Sequence, residues 1–152
     1  HAAFSGDLAP ALFVLGAEIE LVSARGTRRM PLAELYRDDG AAHLTIARDE
    51  VLTAAHVPPA VPALRSGYRK ARTRGAMDFP LAGVACALTL RDGVLTGLRV
   101  AITGTNSNPF LLAGCEEFIG RPVDDELLAQ LGKRVQKQVS PMRSTVTQSE
   151  IS

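Results

Sequence analysis

The chain has 152 residues and a mass of 16.1 kDa, which suits one ordinary domain or two small lobes and excludes a large multidomain enzyme. With 46% hydrophobic and 22% charged residues, and 13 glycines beside 9 prolines, the composition is that of a folded globular protein, not a disordered tail or a fibre. Seventeen lysines and arginines against sixteen acids leave a net charge of +1, so no global field draws the chain to nucleic acid or to an anionic membrane surface.

Ser5-Gly6-Asp7 ahead of residues 8–15 predicts a short helix, with Ser5 or Asp7 as N-cap, Pro10 tolerated in the first turn and Gly16 as the stop. Residues 17–22 alternate polar and apolar side chains, which predicts a strand, and Arg25-Gly26 offers the turn into a basic return strand over 27–30. Residues 31–35 add one helical turn before the polar loop Arg37-Asp38-Asp39-Gly40, and Asp49-Glu50 introduces a β-type run over 51–57. Pro58-Pro59-Ala60-Val61-Pro62 continues neither a helix nor a central strand, because each proline removes a donor and fixes φ. A division into two lobes falls there.

Beyond the joint, residues 66–72 predict a basic strand, 81–90 an apolar strand, and Asp92-Gly93 a hairpin into 94–103. Three antiparallel strands result. After the loop 104–109 come two helical stretches, 110–118, stopped by Gly120-Arg121-Pro122, and another from Asp124 or Asp125 to about Val139. The expected fold class is α+β, with a three-stranded antiparallel sheet packed against helices.

No GxSxG, HExxH, P-loop or GxGxxG pattern is present. Cys86 and Cys115 are too few for a disulfide framework and lack the close spacing of a zinc or iron–sulfur site, so no metal site is expected and a reducing, cytoplasmic compartment is the simpler reading. The most apolar stretch is about ten residues, short of the ~20 that span a bilayer. His43 and His56 read as core or loop histidines, and Asp124-Asp125-Glu126 as a helix start. The basic segment holding Arg65, Arg69, Lys70, Arg72 and Arg74 could hold an anion or could be a solvated edge strand. On a strand, Arg69 and Lys70 point to opposite faces. The opening at His1 and the stop at Ser152 read as the ends of a piece of something longer.

Several stretches, taken in order, resemble the flavin-carrying medium subunit of the molybdenum hydroxylases, the family of xanthine and carbon monoxide dehydrogenases. They are Ser5-Gly6-Asp7-Leu8-Ala9-Pro10-Ala11-Leu12, Asp49-Glu50-Val51-Leu52-Thr53 with Val57-Pro58, Tyr68-Arg69-Lys70-Ala71-Arg72 with Asp78-Phe79, and Pro109 through Glu116-Glu117 to Ile119-Gly120. The resemblance implies the C-terminal portion of a two-lobed FAD-binding domain over 1–58, a Pro-rich joint over 59–65 and a small C-terminal domain over 66–152. Within the family, the segments 68–80, 102–109 and 138–143 are most similar to the 4-hydroxybenzoyl-CoA reductase branch.

The resemblance further implies an electron-transfer subunit carrying FAD. Its partners would be a molybdopterin-binding large subunit, an iron–sulfur small subunit and a missing N-terminal half of its own chain, with no nucleic acid and no membrane. The substrate would bind another subunit. By position, Asp7 corresponds to an acidic residue that approaches the FAD in relatives, Leu52 and Thr53 to strand residues beside the isoalloxazine ring, and Arg69 to a cation near its pyrimidine edge, with Lys70 as the alternative if the register slips by one. The alternatives are the flavoprotein subunit of another molybdenum hydroxylase, acting on CO, xanthine or an aromatic substrate, and a non-enzymatic α+β module that only docks subunits.

Overall fold

The computed structural model describes residues 3–73, 75 and 78–141. Helix α1, Leu8–Val14, buries Ala9, Pro10, Phe13 and Val14 on one face and ends where Gly16 and Ala17 donate their N–H groups to the carbonyls of Phe13 and Leu12, at 3.0 and 3.1 Å. Strands β1 (Glu18–Ser23) and β2 (Gly26–Pro31) form the expected hairpin, and the helical turn after Pro31 is present as a 3-10 turn, Leu32–Leu35. Strand β3, Val51–His56, pairs antiparallel with the other side of β1, giving the order β2-β1-β3. Alternation along β1 drives Ile19 and Leu21 inward, each 1% exposed, and leaves Glu18 and Glu20 on the outer face.

The second sheet has the order β4-β5-β6-β7, from β4 (Leu64–Ala71), β5 (Ala82–Arg91), β6 (Val94–Thr103) and β7 (Phe110–Leu111), all antiparallel. The β5–β6 turn is the Asp92-Gly93 pair, with φ of 52° and 78°, the positive values that match a tight turn to the twist of its strands. The stretch 110–118 is not the helix its sequence suggests, and the sheet has four strands instead of three. Phe110 and Leu111 pair with β6, Leu112 donates its N–H to Val100 O at 2.8 Å, and only Cys115–Phe118 turns, as a 3-10 turn. Two causes act together: the outer edge of β6 takes up the backbone groups of 110–112, and Gly114, at φ 81°, interrupts any helix through this segment.

Helix α2, Asp125–Gln138, starts as the sequence predicts: the Asp124 carboxylate accepts the Leu127 N–H at 2.8 Å, with Asp125 and Glu126 in the first turn. It covers one face of the second sheet through the cluster of Val100, Ile102, Leu112 and Cys115, joined by Leu131 and Val135. Ala85, Ala87 and Ala101, on the opposite face, share a core with Phe13, Val14, Ile19, Leu21, Leu32 and Leu35. Residues from both sides of the Pro-rich joint therefore bury one another. The α+β class holds, and the small alanines on the sheet are what let α1 approach it.

Candidate functional site

The candidate residues sit on three elements: the start of α1, the outer strand β3 and the outer strand β4. Asp7 occupies the N-cap position of α1, yet its side chain makes no capping hydrogen bond. Instead its carboxylate accepts the Tyr68 hydroxyl at 2.5 Å and the Lys70 ammonium at 2.7 Å, both from β4. Tyr68 and Lys70 are two apart on a strand, so they share the face that looks toward α1. Lys70 also donates to Asp78 O at 3.0 Å, which ties the segment after β4 into the same clasp. Gly83 makes room for it, because a Cβ there would stand 2.5 Å from the Tyr68 hydroxyl oxygen.

The charges respond to this arrangement. Hydrogen bonds from Lys70 and then Tyr68 hold the Asp7 carboxyl below its ordinary value, while burial and the Asp7 contact push the Tyr68 phenol up. A carboxyl whose pKa is lowered on folding stabilises the fold above its unfolded pKa and loses that contribution as pH falls. Comparing Asp7→Asn with the wild-type chain is therefore expected to show a constant stability deficit at neutral pH, ~0.5–1 kcal/mol for so exposed a pair, that closes as pH drops through and below the ordinary carboxylate range. Urea melts at several pH values read this directly. A deficit that grew on acidification would contradict the clasp.

Arg69 does not join Asp7. It pairs in register with Val84, so it lies on the opposite face of β4 from Tyr68 and Lys70, exposed and without a partner among the described residues. Arg65 from that same face bonds the backbone oxygens of Pro62 and Leu64, at 3.2 and 3.1 Å. Arg74 lies outside the described residues. Among the described cations of the basic segment, Lys70 is anchored inward, Arg65 is folded onto the joint, and Arg69 and Arg72 are exposed.

Leu52 and Thr53 stand on β3. Thr53 falls at the register shift between β1 and β3, and its hydroxyl donates to Glu20 Oε1 at 3.0 Å. That bond first, with Arg29 and His56 adding to it, lowers the Glu20 carboxyl. His56 Nε2 lies 3.7 Å from Glu20 Oε2 without a hydrogen bond. Leu52, 43% exposed, and Val51, 64% exposed, present apolar surface on a strand whose other side is unpaired among the described residues. Cys115 is buried and donates to Leu112 O at 3.4 Å, and burial pushes both thiols up, which makes them poor nucleophiles. The small-residue loop after β6 spends its polar groups internally: Gly104 donates to Phe4 O at 2.8 Å, and the Asn106 side chain accepts from Ser140 N–H at 3.1 Å.

A cleft of about 460 Å³ runs between the end of α1, the Pro-rich joint and the β5–β6 hairpin, and none of Asp7, Leu52, Thr53, Arg69 or Lys70 lines it. Among the described residues no three His, Cys, Asp or Glu side chains gather as a metal site, and no helix is long and apolar enough to cross a membrane. A flavin needs an apolar wall for its ring and fixed donors or cations for its polar edge. Leu52 with the free edge of β3 offers the first and Arg69 the second, but the Asp7 carboxylate and the Thr53 hydroxyl are already engaged within the chain. Leu52 and Thr53 on β3 and Arg69 on β4 stand in different sheets, and these residues do not by themselves enclose a flavin. Tyr68 and Gly83 were not among the sequence candidates; the two-residue spacing from Tyr68 to Lys70 is the signal that links them.

Two small antiparallel sheets share a core with α1, and α2 covers the far face of the second sheet, which makes an α+β fold. Two family profiles match in chain order: "FAD binding domain in molybdopterin dehydrogenase" over residues 1–60 and "CO dehydrogenase flavoprotein C-terminal domain" over residues 66–150. The chain belongs to the family of CO dehydrogenase flavoprotein C-terminal domains, within the FAD-binding medium subunits of the molybdenum hydroxylases.

Among relatives, the glyceraldehyde dehydrogenase medium chain of Sulfolobus acidocaldarius is 28% identical over 138 residues, covering 90% of this chain and 48% of the relative. The xanthine dehydrogenase FAD-binding subunit of Escherichia coli O157:H7 is 27% identical over 146 residues, covering 95% and 49%. Of solved structures, CO dehydrogenase from Oligotropha carboxidovorans superposes with a TM-score of 0.84 at 23% identity, over 91% of this chain and 48% of that one. Quinoline 2-oxidoreductase from Pseudomonas putida 86 gives 0.79 at 19%, over 95% and 50%. These likenesses establish the fold. The chain spans about half the length of the curated relatives it matches.

Proposed function

We propose that this chain is the C-terminal half of the FAD-carrying electron-transfer subunit of a molybdenum-dependent oxidoreductase, working in the cytoplasm beside a molybdopterin-binding large subunit and an iron–sulfur small subunit. The observation that carries this reading is the order of the two matches, an FAD-binding segment followed by a flavoprotein C-terminal domain. Bound FAD would supply one- and two-electron transfer, and this chain's own residues supply surface and charge. Leu52 and the backbone of Thr53 present the apolar edge. Arg69 presents a fixed cation that favours an anionic reduced ring. The division of labour within β4 supports this: Asp7 and Tyr68 hold Lys70 inward, which leaves Arg69 free on the other face. Asp7 then acts on the flavin side mainly by fixing β4. Because these surfaces are exposed and unenclosed, the chain by itself holds FAD weakly or not at all.

Within the family we place the chain in the 4-hydroxybenzoyl-CoA reductase branch, which removes the phenolic hydroxyl of its substrate reductively. The support is the sequence of the three segments 68–80, 102–109 and 138–143. The similarity to xanthine and glyceraldehyde dehydrogenase subunits supports a second reading, the flavoprotein subunit of another molybdenum hydroxylase.

Arg69→Ala in the complete subunit tests the flavin reading. Loss of a charge-assisted contact is worth about 1.5–3 kcal/mol, so flavin affinity should fall roughly tenfold to a hundredfold, or the potential of the retained flavin should shift negative. Unchanged occupancy and unchanged potential would favour a docking module with no flavin role.

A further inference from the structure

On the side of the second sheet away from α1, the 3-10 turn Cys115–Phe118 and helix α2 form a groove of about 390 Å³ that the flavin reading does not use. Its lining holds four cations, Arg121, Lys133, Arg134 and Lys137, against one carboxylate, Glu117. In a chain of net charge +1 this is a local concentration of positive charge.

The two guanidinium groups are held in place. Arg134 forms a two-point contact with Glu117, and Arg121 donates to Gln130 Oε1 at 2.6 Å. Their guanidinium carbons lie 5.5 and 5.9 Å from the centre of the Phe118 ring, a cation–aromatic contact on one shared ring. Gly114 is required for this, because a Cβ there would overlap an Arg134 nitrogen. Lys133 and Lys137 are exposed one helical turn apart and have no partner among the described residues.

From Gln130 to Lys137 the groove follows α2 for about 10 Å at 1.5 Å per residue. Cations strung along that distance suit several carboxylates on an extended segment better than one compact anion. We propose that this groove docks an acidic segment of a partner subunit. The proposal rests on the reading of the chain as one subunit of a complex, and it assigns α2 the role of an electrostatic docking rail.

The test is the double variant K133E/K137E, placed in the complete subunit and purified with its partners. Both side chains are exposed, so the subunit should stay folded, its melting temperature lowered by at most a few degrees because Lys137 lies in the last turn of α2. The subunit dissociation constant at low salt should rise at least about tenfold. The difference should shrink as ionic strength passes about 0.15 M, where the screening length is ~8 Å. Flavin content should match the wild-type subunit. Unchanged assembly at low salt with normal flavin content overturns the docking proposal and leaves the flavoprotein reading intact. Binding of inorganic pyrophosphate that the variant loses while assembly is unchanged overturns it in favour of a small-anion site. Absence of both flavin and partner subunits in the wild-type preparation fails the broader reading first.

Discussion

Replacing Gly104 by alanine should destabilise the chain by roughly 2–4 kcal/mol, the sum of a left-handed backbone cost for an L-residue and a steric displacement. The backbone at Gly104 has φ of 88°, and a Cβ there would lie 2.5 Å from the Leu81 carbonyl oxygen and 3.0 Å from Ala82 Cα. Those atoms are backbone, so no side-chain rotation relieves the contact. Gly93→Ala is the control: φ is 78°, but nothing lies within 4 Å, so only the conformational cost applies. Urea unfolding midpoints separate the two. The loss reaches the candidate site because Gly104 donates to Phe4 O, and Thr103 Oγ1 donates to the same oxygen at 3.2 Å. Loosening that strap frees the segment leading to Asp7, and the Asp7–Lys70 clasp should weaken with it.

Leu21→Ala should cost about 2–5 kcal/mol, the range for truncating a buried leucine and leaving a cavity. Leu21 is 1% exposed and packs in the cluster that also contains Ala85, Ala87 and Ala101 from the second sheet. Because residues on both sides of the Pro-rich joint share that cluster, both halves should unfold in one transition, in the wild type and in the variant alike. Circular dichroism and tryptophan-free near-ultraviolet signals from Tyr36 and Tyr68, one on each side of the joint, would follow the two halves. Separate midpoints would show that the lobes are energetically independent and that the shared core contributes little.

Local chemistry made some elements readable from the sequence. Asp92-Gly93 carries its own turn geometry, Asp124 caps α2 as its spacing implies, and Gly16 ends α1. The segment 110–118 was not readable, because what decides it is remote: an unpaired edge of β6 takes its backbone. Asp7 illustrates the same limit at the site. Locally it is an N-cap, but its carboxylate goes to Tyr68 and Lys70, more than sixty residues along the chain. Strand alternation correctly separates Arg69 from Lys70, yet which of the two meets Asp7 depends on the pairing of β4 with β5. Leu52 stands out in the sequence only through the family resemblance. Its exposure comes from sitting on an outer strand, which only the order β2-β1-β3 reveals.

The same contrast separates the cleft from the residues singled out by the family resemblance. The cleft lies at the joint, while Leu52, Thr53 and Arg69 lie on exposed surfaces of β3 and β4.

The most direct test is to express the complete subunit containing this sequence, remove loosely bound small molecules, and quantify the flavin released on denaturation. FAD should be present in an amount equal to the chain and retained through gel filtration, with markedly less in the Arg69→Ala variant. A folded, complete subunit that carries no flavin, even after incubation with excess FAD, would contradict the flavin reading.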